Sequence, residues 1–240
     1  MPEIKAVIFD MYQTLVHDPR DQWHRSFRSI IQDQRLPVTA EQLWEGWHES
    51  EERFRIRRTD PSLPFQTYFD AWAGGFQAAF EALGIPGDAV AATKRFFADL
   101  SQREPFPETE PVVKEIQKDY RTAVLSNADD GFLLPNLQLL ALDFEVVLSS
   151  EMARSYKPQP ELFREMLARL GVRPDEAVYV GDRHYEDVHG AQGVGMHAVW
   201  INRGERGLRD DLPAPSHTIS NLNMLPPILE QIHRGAVPWR

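Results

Sequence analysis

The sequence predicts an α/β protein, a parallel β-sheet covered by helices on both faces and interrupted after its first strand by an all-helical insertion. Three observations carry this. Between residues 104 and 201, short β-branched apolar runs alternate with helical segments, the pattern of a sheet built from strand–helix–strand units. A similar run stands alone near the N-terminus. The stretch between holds aromatic residues at helical spacing and no strand-like run.

Lys5 to Phe9 (KAVIF) is short, apolar and β-branched, and reads as a buried strand ending at Asp10. Residues 18–103 place Trp23, Phe27 and Ile30, then Leu43, Trp44 and Trp47, then Phe65, Phe69, Trp72 and Phe76 on helical stripes. Leu36-Pro37, Pro61 with Pro64, and Gly84 to Gly87 punctuate them, which predicts four or five helices whose rings form a core. After Pro105 and Pro107, helices are expected at Thr109–Lys118, Leu133–Leu140, Pro160–Leu170 and Asp187–Gln192. Strands are expected at Thr122–Leu125, Phe144–Leu148, Ala177–Val180 and His197–Ile201, and a last helix at Leu222–Ile232. The implied organisation is a core of residues 1–17 and 104–240 and a helical domain of residues 18–103.

Composition narrows the functional classes. The 240 residues are 42% hydrophobic and 26% charged, as in ordinary globular proteins. A net charge of −10 argues against nucleic acid or an anionic membrane surface as partner. The absence of cysteine excludes disulfides and thiolate metal sites and fits a cytoplasmic location. No stretch reaches the roughly 18 apolar residues of a membrane helix, and the N-terminus lacks a signal peptide's apolar segment. A cytoplasmic protein is expected, acting on a small molecule, as monomer or homodimer.

In open parallel sheets, ligands bind beyond the carboxyl ends of the strands. There the sequence places Asp10-Met-Tyr-Gln-Thr14, Ser126-Asn127, Tyr156-Lys157-Pro158 before a helix, and Gly181-Asp182 with Asp187 beyond. Each alone is an ordinary turn or cap; together they put the hydroxyls of Thr14 and Ser126, one amine and three carboxylates on one edge. Asp10 is suited to attack an electrophile and form a covalent intermediate. Three carboxylates against one lysine leave negative charge that a hard divalent cation would relieve. Lys157 can neutralise nucleophile and substrate, and Ser126, the amide of Asn127 and Thr14 can donate to anionic oxygens.

VIFDMYQTLV, VLSNA, SYKPQPELF and VYVGDRHYEDVHGA resemble, in order, the four motifs of the haloacid dehalogenase superfamily, over nearly the whole chain. The resemblance implies a Rossmann-like three-layer core, and the 18–103 insertion is similar to that family's helical cap, which opens and closes over the site. It implies that Asp10 is the nucleophile and that Ser126 and Lys157 bind the substrate's anionic group. It also implies Mg²⁺ held by Asp10, Asp182 and the backbone carbonyl of Tyr12, with Asp187 in support. The expected activity is that of a phosphatase on a small phosphorylated metabolite.

Two departures keep other readings open. Tyr12 stands where phosphatases of the family carry a second Asp as general acid and base, and is similar to the metal-independent 2-haloacid dehalogenases. Gln13 stands where most members have Gly. Arg183 replaces a common Ser and is expected to face solvent; His184 is a candidate substitute acid. A 2-haloacid dehalogenase is therefore the alternative enzyme, and a weakly active binding protein the non-catalytic one. Arg25, Arg28, Arg35 and Arg53 offer cations in the insertion but no motif.

Overall fold

The computed structural model describes residues 3–233. The chain starts with β1 (Ala6–Phe9), then runs through α1 (Arg20–Gln34), α2 (Ala40–Arg57), α3 (Tyr68–Leu83) and α4 (Ala89–Leu100). It continues through α5 (Thr109–Ile116), β2 (Arg121–Ser126), α6 (Asp130–Leu140), β3 (Val146–Ser149), α7 (Ser150–Ala153) and α8 (Pro160–Leu170). Last come β4 (Ala177–Gly181), a π-helical turn at His184–His189, α9 (Gly190–Gly193), β5 (His197–Ile201), β6 (His217–Ile219) and α10 (Leu225–His233).

Contacts divide the chain into two compact units. Among the described residues, the first comprises 3–17, 104–127 and 137–233. Its described strands form one parallel sheet in the order β3-β2-β1-β4-β5-β6. Strand order reverses direction at β1, which makes the ends of β1, β2 and β4 the crevice where such sheets bind ligands. All four residues of β1 are fully buried, as an apolar run between two neighbours requires. Phe9 pairs in register with Val124 on one side and Val180 on the other. Asp10 is therefore level with Leu125 and Gly181, and Ser126 and Asp182 each lie one residue beyond. One face of the sheet packs Ile8, Leu125 and Tyr179 against the apolar stripe Phe163, Met166 and Leu167 of α8.

The fold matches the predicted architecture, with local differences. β6, only three residues long, was not anticipated, being too short for a periodicity to show. The helix expected at Asp187–Gln192 is a π-helical turn from His184 followed by a single α-helical turn.

The second unit comprises residues 18–103 and 128–136. Thr39 and Gln42 cap α2 reciprocally, Thr67 caps α3, and Asp88 caps α4. Phe27, Trp47, Trp72, Phe76 and Phe96 form its core, most ring centroids lying 5–6 Å apart in edge or tilted geometry. Where the insertion begins and ends, Arg103 reaches Asp18 at 2.9 Å. Residues 128–136 join this unit although the sequence assigned them to the core. Phe132 stacks on Trp72, and the Asn136 side chain bonds Leu100 and Arg103. Among the described residues no helix is long and apolar enough to cross a membrane.

Candidate active site

Lys157 is the hub of the strand-end cluster. Its ammonium donates to Asp10 Oδ1 at 2.7 Å, to Asp187 Oδ1 at 2.6 Å and to the Tyr179 hydroxyl at 2.8 Å. Lys157 is 2% exposed, Asp187 fully buried and Asp10 6% exposed, so water screens these charges little. Burial pulls the Lys157 pKa down, but the carboxylates of Asp10 and Asp187 outweigh it and hold the ammonium well above the usual lysine range. Ser126 donates to the same Asp10 oxygen at 3.2 Å. The Asn127 side chain is occupied in holding the backbone of Lys157, accepting from its amide at 2.8 Å and donating to its carbonyl at 3.1 Å.

The fourth motif supplies the other carboxylates. Asp187 accepts from the backbone amide of Arg183 at 2.8 Å, which folds the π-helical turn back on the end of β4. Gly181 has to be glycine there, because a Cβ would lie 2.4 Å from the Asp187 carboxyl carbon. Asp182 is 7% exposed and faces two half-exposed guanidinium groups, Arg206 at 3.1 Å and Arg183 at 3.7 Å. Arg183, expected to point to solvent, thus reaches the site edge. Burial, then the Asp187 and Asp10 carboxylates, push the Asp182 pKa up to about 7, against the pull of Arg183 and Arg206. Burial likewise raises Asp187 to about 6, with Asp10 adding to it and Lys157 opposing.

Asp10, Asp182 and Asp187 each present an oxygen, and these oxygens lie within 4.8 Å of one another. Buried and all-oxygen, the set fits a hard divalent cation.

The turn after Asp10 carries the departures from the family pattern. Gln13 adopts φ 62°, a left-handed conformation that costs a side-chain-bearing residue roughly 1–2 kcal/mol. The turn thus keeps a glycine's conformation without the glycine. Tyr12, half-buried, bridges to Val16. Thr14 is fully buried and its hydroxyl has no hydrogen-bond partner. His184 does not serve as a free acid. Its Nε2 lies 2.8 Å from the Pro213 carbonyl and its Nδ1 accepts from the Arg209 amide, so both ring nitrogens are engaged.

Tyr179 was not anticipated. It sits fully buried in β4 and donates its hydroxyl to the Leu125 carbonyl at 2.9 Å, beside Lys157 and Asp187. Burial raises its pKa well above the usual phenol value, with Asp187 adding to it, so it remains a neutral donor. Its signal in the sequence is a polar-tipped ring inside an otherwise aliphatic strand, AVYV.

The parallel α/β core thus carries a buried lysine and three buried aspartates at one sheet edge. The family model of haloacid dehalogenase-like hydrolases matches residues 4–195, and the chain belongs to that family. It is 31% identical over 240 residues to a glyceraldehyde 3-phosphate phosphatase of Pyrococcus furiosus, covering 98% of this chain and 95% of that one. It is 35% identical to a phosphoserine phosphatase of Thermus thermophilus over 172 residues, 66% of either chain. Among solved structures, a 2-haloacid dehalogenase from Pseudomonas syringae pv. Tomato DC3000 is similar at TM-score 0.72 and 28% identity. That match covers 95% of this chain and 99% of that one.

Proposed function

We propose that the protein is a Mg²⁺-dependent phosphatase of a small phosphorylated metabolite, acting in the cytoplasm through an aspartyl-phosphate intermediate on Asp10. The observation that carries this reading is the buried triad Asp10, Asp182 and Asp187, whose oxygens lie within 4.8 Å of one another, Asp10 and Asp187 also bonding the buried Lys157. A metal-independent site has no need of Asp182, whose burial in ionised form is costly. The greater identity to phosphatases than to the dehalogenase supports the same reading.

Asp10, Asp182 and the Tyr12 carbonyl would hold Mg²⁺, with Asp187 behind them; the ion would supply charge neutralisation for the phosphoryl oxygens. Asp10 attacks phosphorus and the P–O bond to the leaving group breaks, leaving the phosphoryl on Asp10. Lys157 neutralises the attacking carboxylate and the phosphoryl oxygens, and Ser126 donates to the latter. Thr14 brings a buried hydroxyl that lacks a partner, a donor the phosphoryl group would satisfy. Water then cleaves the acyl phosphate and restores Asp10. With Tyr12 in place of a second Asp, leaving groups that need little protonation are favoured.

The test is phosphate release from p-nitrophenyl phosphate, phosphoserine and glyceraldehyde 3-phosphate, with Mg²⁺ and with EDTA. Metal-dependent release that Asp10→Asn abolishes is expected; no metal-dependent release from any of them would sink the reading. The second reading, a 2-haloacid dehalogenase, is favoured by Tyr12 and by the guanidinium groups beside Asp182. Chloride release from 2-chloropropionate in EDTA would select it.

A further inference from the structure

The loop after β5 sends Arg203 back to the turn that follows Asp10. Its Nη2 donates to the Thr14 carbonyl at 3.0 Å and its Nε to the Gln13 carbonyl at 3.2 Å. Its Nη1 pairs with Glu108 at 2.7 Å, and its guanidinium carbon lies 3.5 Å from the centroid of the Phe106 ring. The Arg203 and Glu108 side chains are only 16% and 13% exposed, so this is an interior clamp rather than a surface pair. In extended chain, consecutive carbonyls point to opposite sides, so one planar group reaches two of them only where the backbone has turned. That place is Gln13, at φ 62°.

We propose that Arg203 is a positioning residue for the Asp10 reaction. Its guanidinium fixes the left-handed turn at Gln13, and with it the placement of Asp10 and Tyr12. The neighbouring carbonyls are held from other directions: the Phe106 amide and the Thr109 hydroxyl both donate to Leu15, and the Gln13 amide to Val16. Arg203 supplies the donors at the strained point itself. A glycine would adopt this conformation without strain; with glutamine there, Arg203 adds outside bonds to the turn's own, in which the Leu15 and Val16 amides donate to the Met11 carbonyl. Arginine suits the task because one rigid fork serves two carbonyls and a carboxylate while its face stacks on a ring. Lysine brings a single charged point.

The inference rests on Asp10 being the reacting group, and the experiment separates the two. Arg203→Met, Arg203→Lys and Arg203→Met/Gln13→Gly are compared with wild type and with Gln13→Gly alone, by Mg²⁺-dependent kinetics and by hydrogen exchange of residues 11–16. Misplacing a reacting group by about 1 Å costs up to roughly 100-fold, so Arg203→Met is expected to lower kcat by about 10- to 100-fold. KM is expected to stay within about threefold, because the interaction lost acts in the reaction step rather than in substrate binding. Arg203→Lys, which keeps the charge facing Glu108, is expected to fall between. Gln13→Gly is expected to restore most of the lost kcat in the Met variant, since it removes the strain that Arg203 opposes. Exchange of residues 11–16 is expected to accelerate in Arg203→Met and to slow again in the double variant.

An unchanged kcat in Arg203→Met, a rise confined to KM, or a loss that Gln13→Gly does not repair would overturn the proposal. If wild type shows no turnover that Asp10→Asn removes, the phosphatase reading fails by itself. Hydrogen exchange then decides the clamp, and unaltered exchange at residues 11–16 overturns it.

Discussion

The two units of this chain bury opposite kinds of side chain. The helical unit fills its interior with Phe27, Trp47, Trp72, Phe76 and Phe96, whose rings need chiefly shape and area from their neighbours, with the Trp47 indole donating to the Trp72 carbonyl. The sheet unit, at the end of β1, buries Asp10, Lys157, Asp182 and Asp187, which need charge balance and directed hydrogen bonds. The first arrangement is a reservoir of stability. The second keeps like charges together against their mutual repulsion, as sites built for chemistry do. Replacing a residue in one unit should therefore cost folding, and in the other should cost turnover.

The sharpest break is Asp182→Asn. Mg²⁺-dependent turnover is expected to fall by on the order of 10³-fold, as when a group acting within a catalytic set is removed. Stability should move the other way. The folded-state pKa of Asp182 is raised to about 7 from an ordinary 3.8. The stability linked to its proton is thus complete below the unfolded value and lost as pH rises through about 7. In EDTA at pH 8 the asparagine variant is expected to melt at or above the wild-type temperature. The lost contacts to half-exposed Arg183 and Arg206 subtract little. A drop of several degrees would mean that Asp182 holds the fold together and would erase the contrast between the units.

Phe96→Ala is the converse. Phe96 is fully buried and lies within 5.7 Å, centroid to centroid, of Trp23, Phe27, Trp47 and Trp72. Its truncation is expected to destabilise the helical unit by about 3–5 kcal/mol. Urea unfolding, followed through tryptophan fluorescence, measures this. A loss under about 1 kcal/mol would show the aromatic cluster to be collapsible rather than close-packed.

The contrast between the units also explains what could be read in the sequence. Asp10, Ser126 and Asp182 each follow an apolar run, and parallel register sets such residues side by side once the runs are recognised as strands. The aromatic stripes of the helical unit were legible for the same reason, through a period of 3.6. Groups whose role depends on a distant partner were not legible. Arg203 lies in a loop without periodicity, and its meaning comes from carbonyls 190 and 189 positions away. Asp129, just past the second motif, carries no signal in the sequence, yet it is 2% exposed and accepts from the amides of Tyr68 and Phe69, tying α3 down at its start. The turn at Gln13 could be located but not its φ, because glutamine in a left-handed conformation is held by tertiary bonds rather than by local preference.

The smallest expected effect lies at the far edge of the sheet, where β5 and β6 place His197 and His217 close enough to interact. Burial lowers the pKa of both imidazoles, and the charge on His197 lowers that of His217 further. A base with a depressed folded-state pKa contributes stability that is present above the unfolded value of about 6.5. As pH falls, the unfolded chain takes up its protons first, and that stability is lost through the lower folded-state values. The protein is accordingly expected to lose stability between pH 7.5 and 5 in part through this pair. His217→Gln should flatten that loss without changing stability much at pH 7.5. Urea midpoints at the two pH values measure it, and an equally steep loss in the variant would assign the acid sensitivity elsewhere. The sign is opposite to that at Asp182, where acid removes rather than creates a buried charge, so one chain carries both directions of pH dependence in a single sheet.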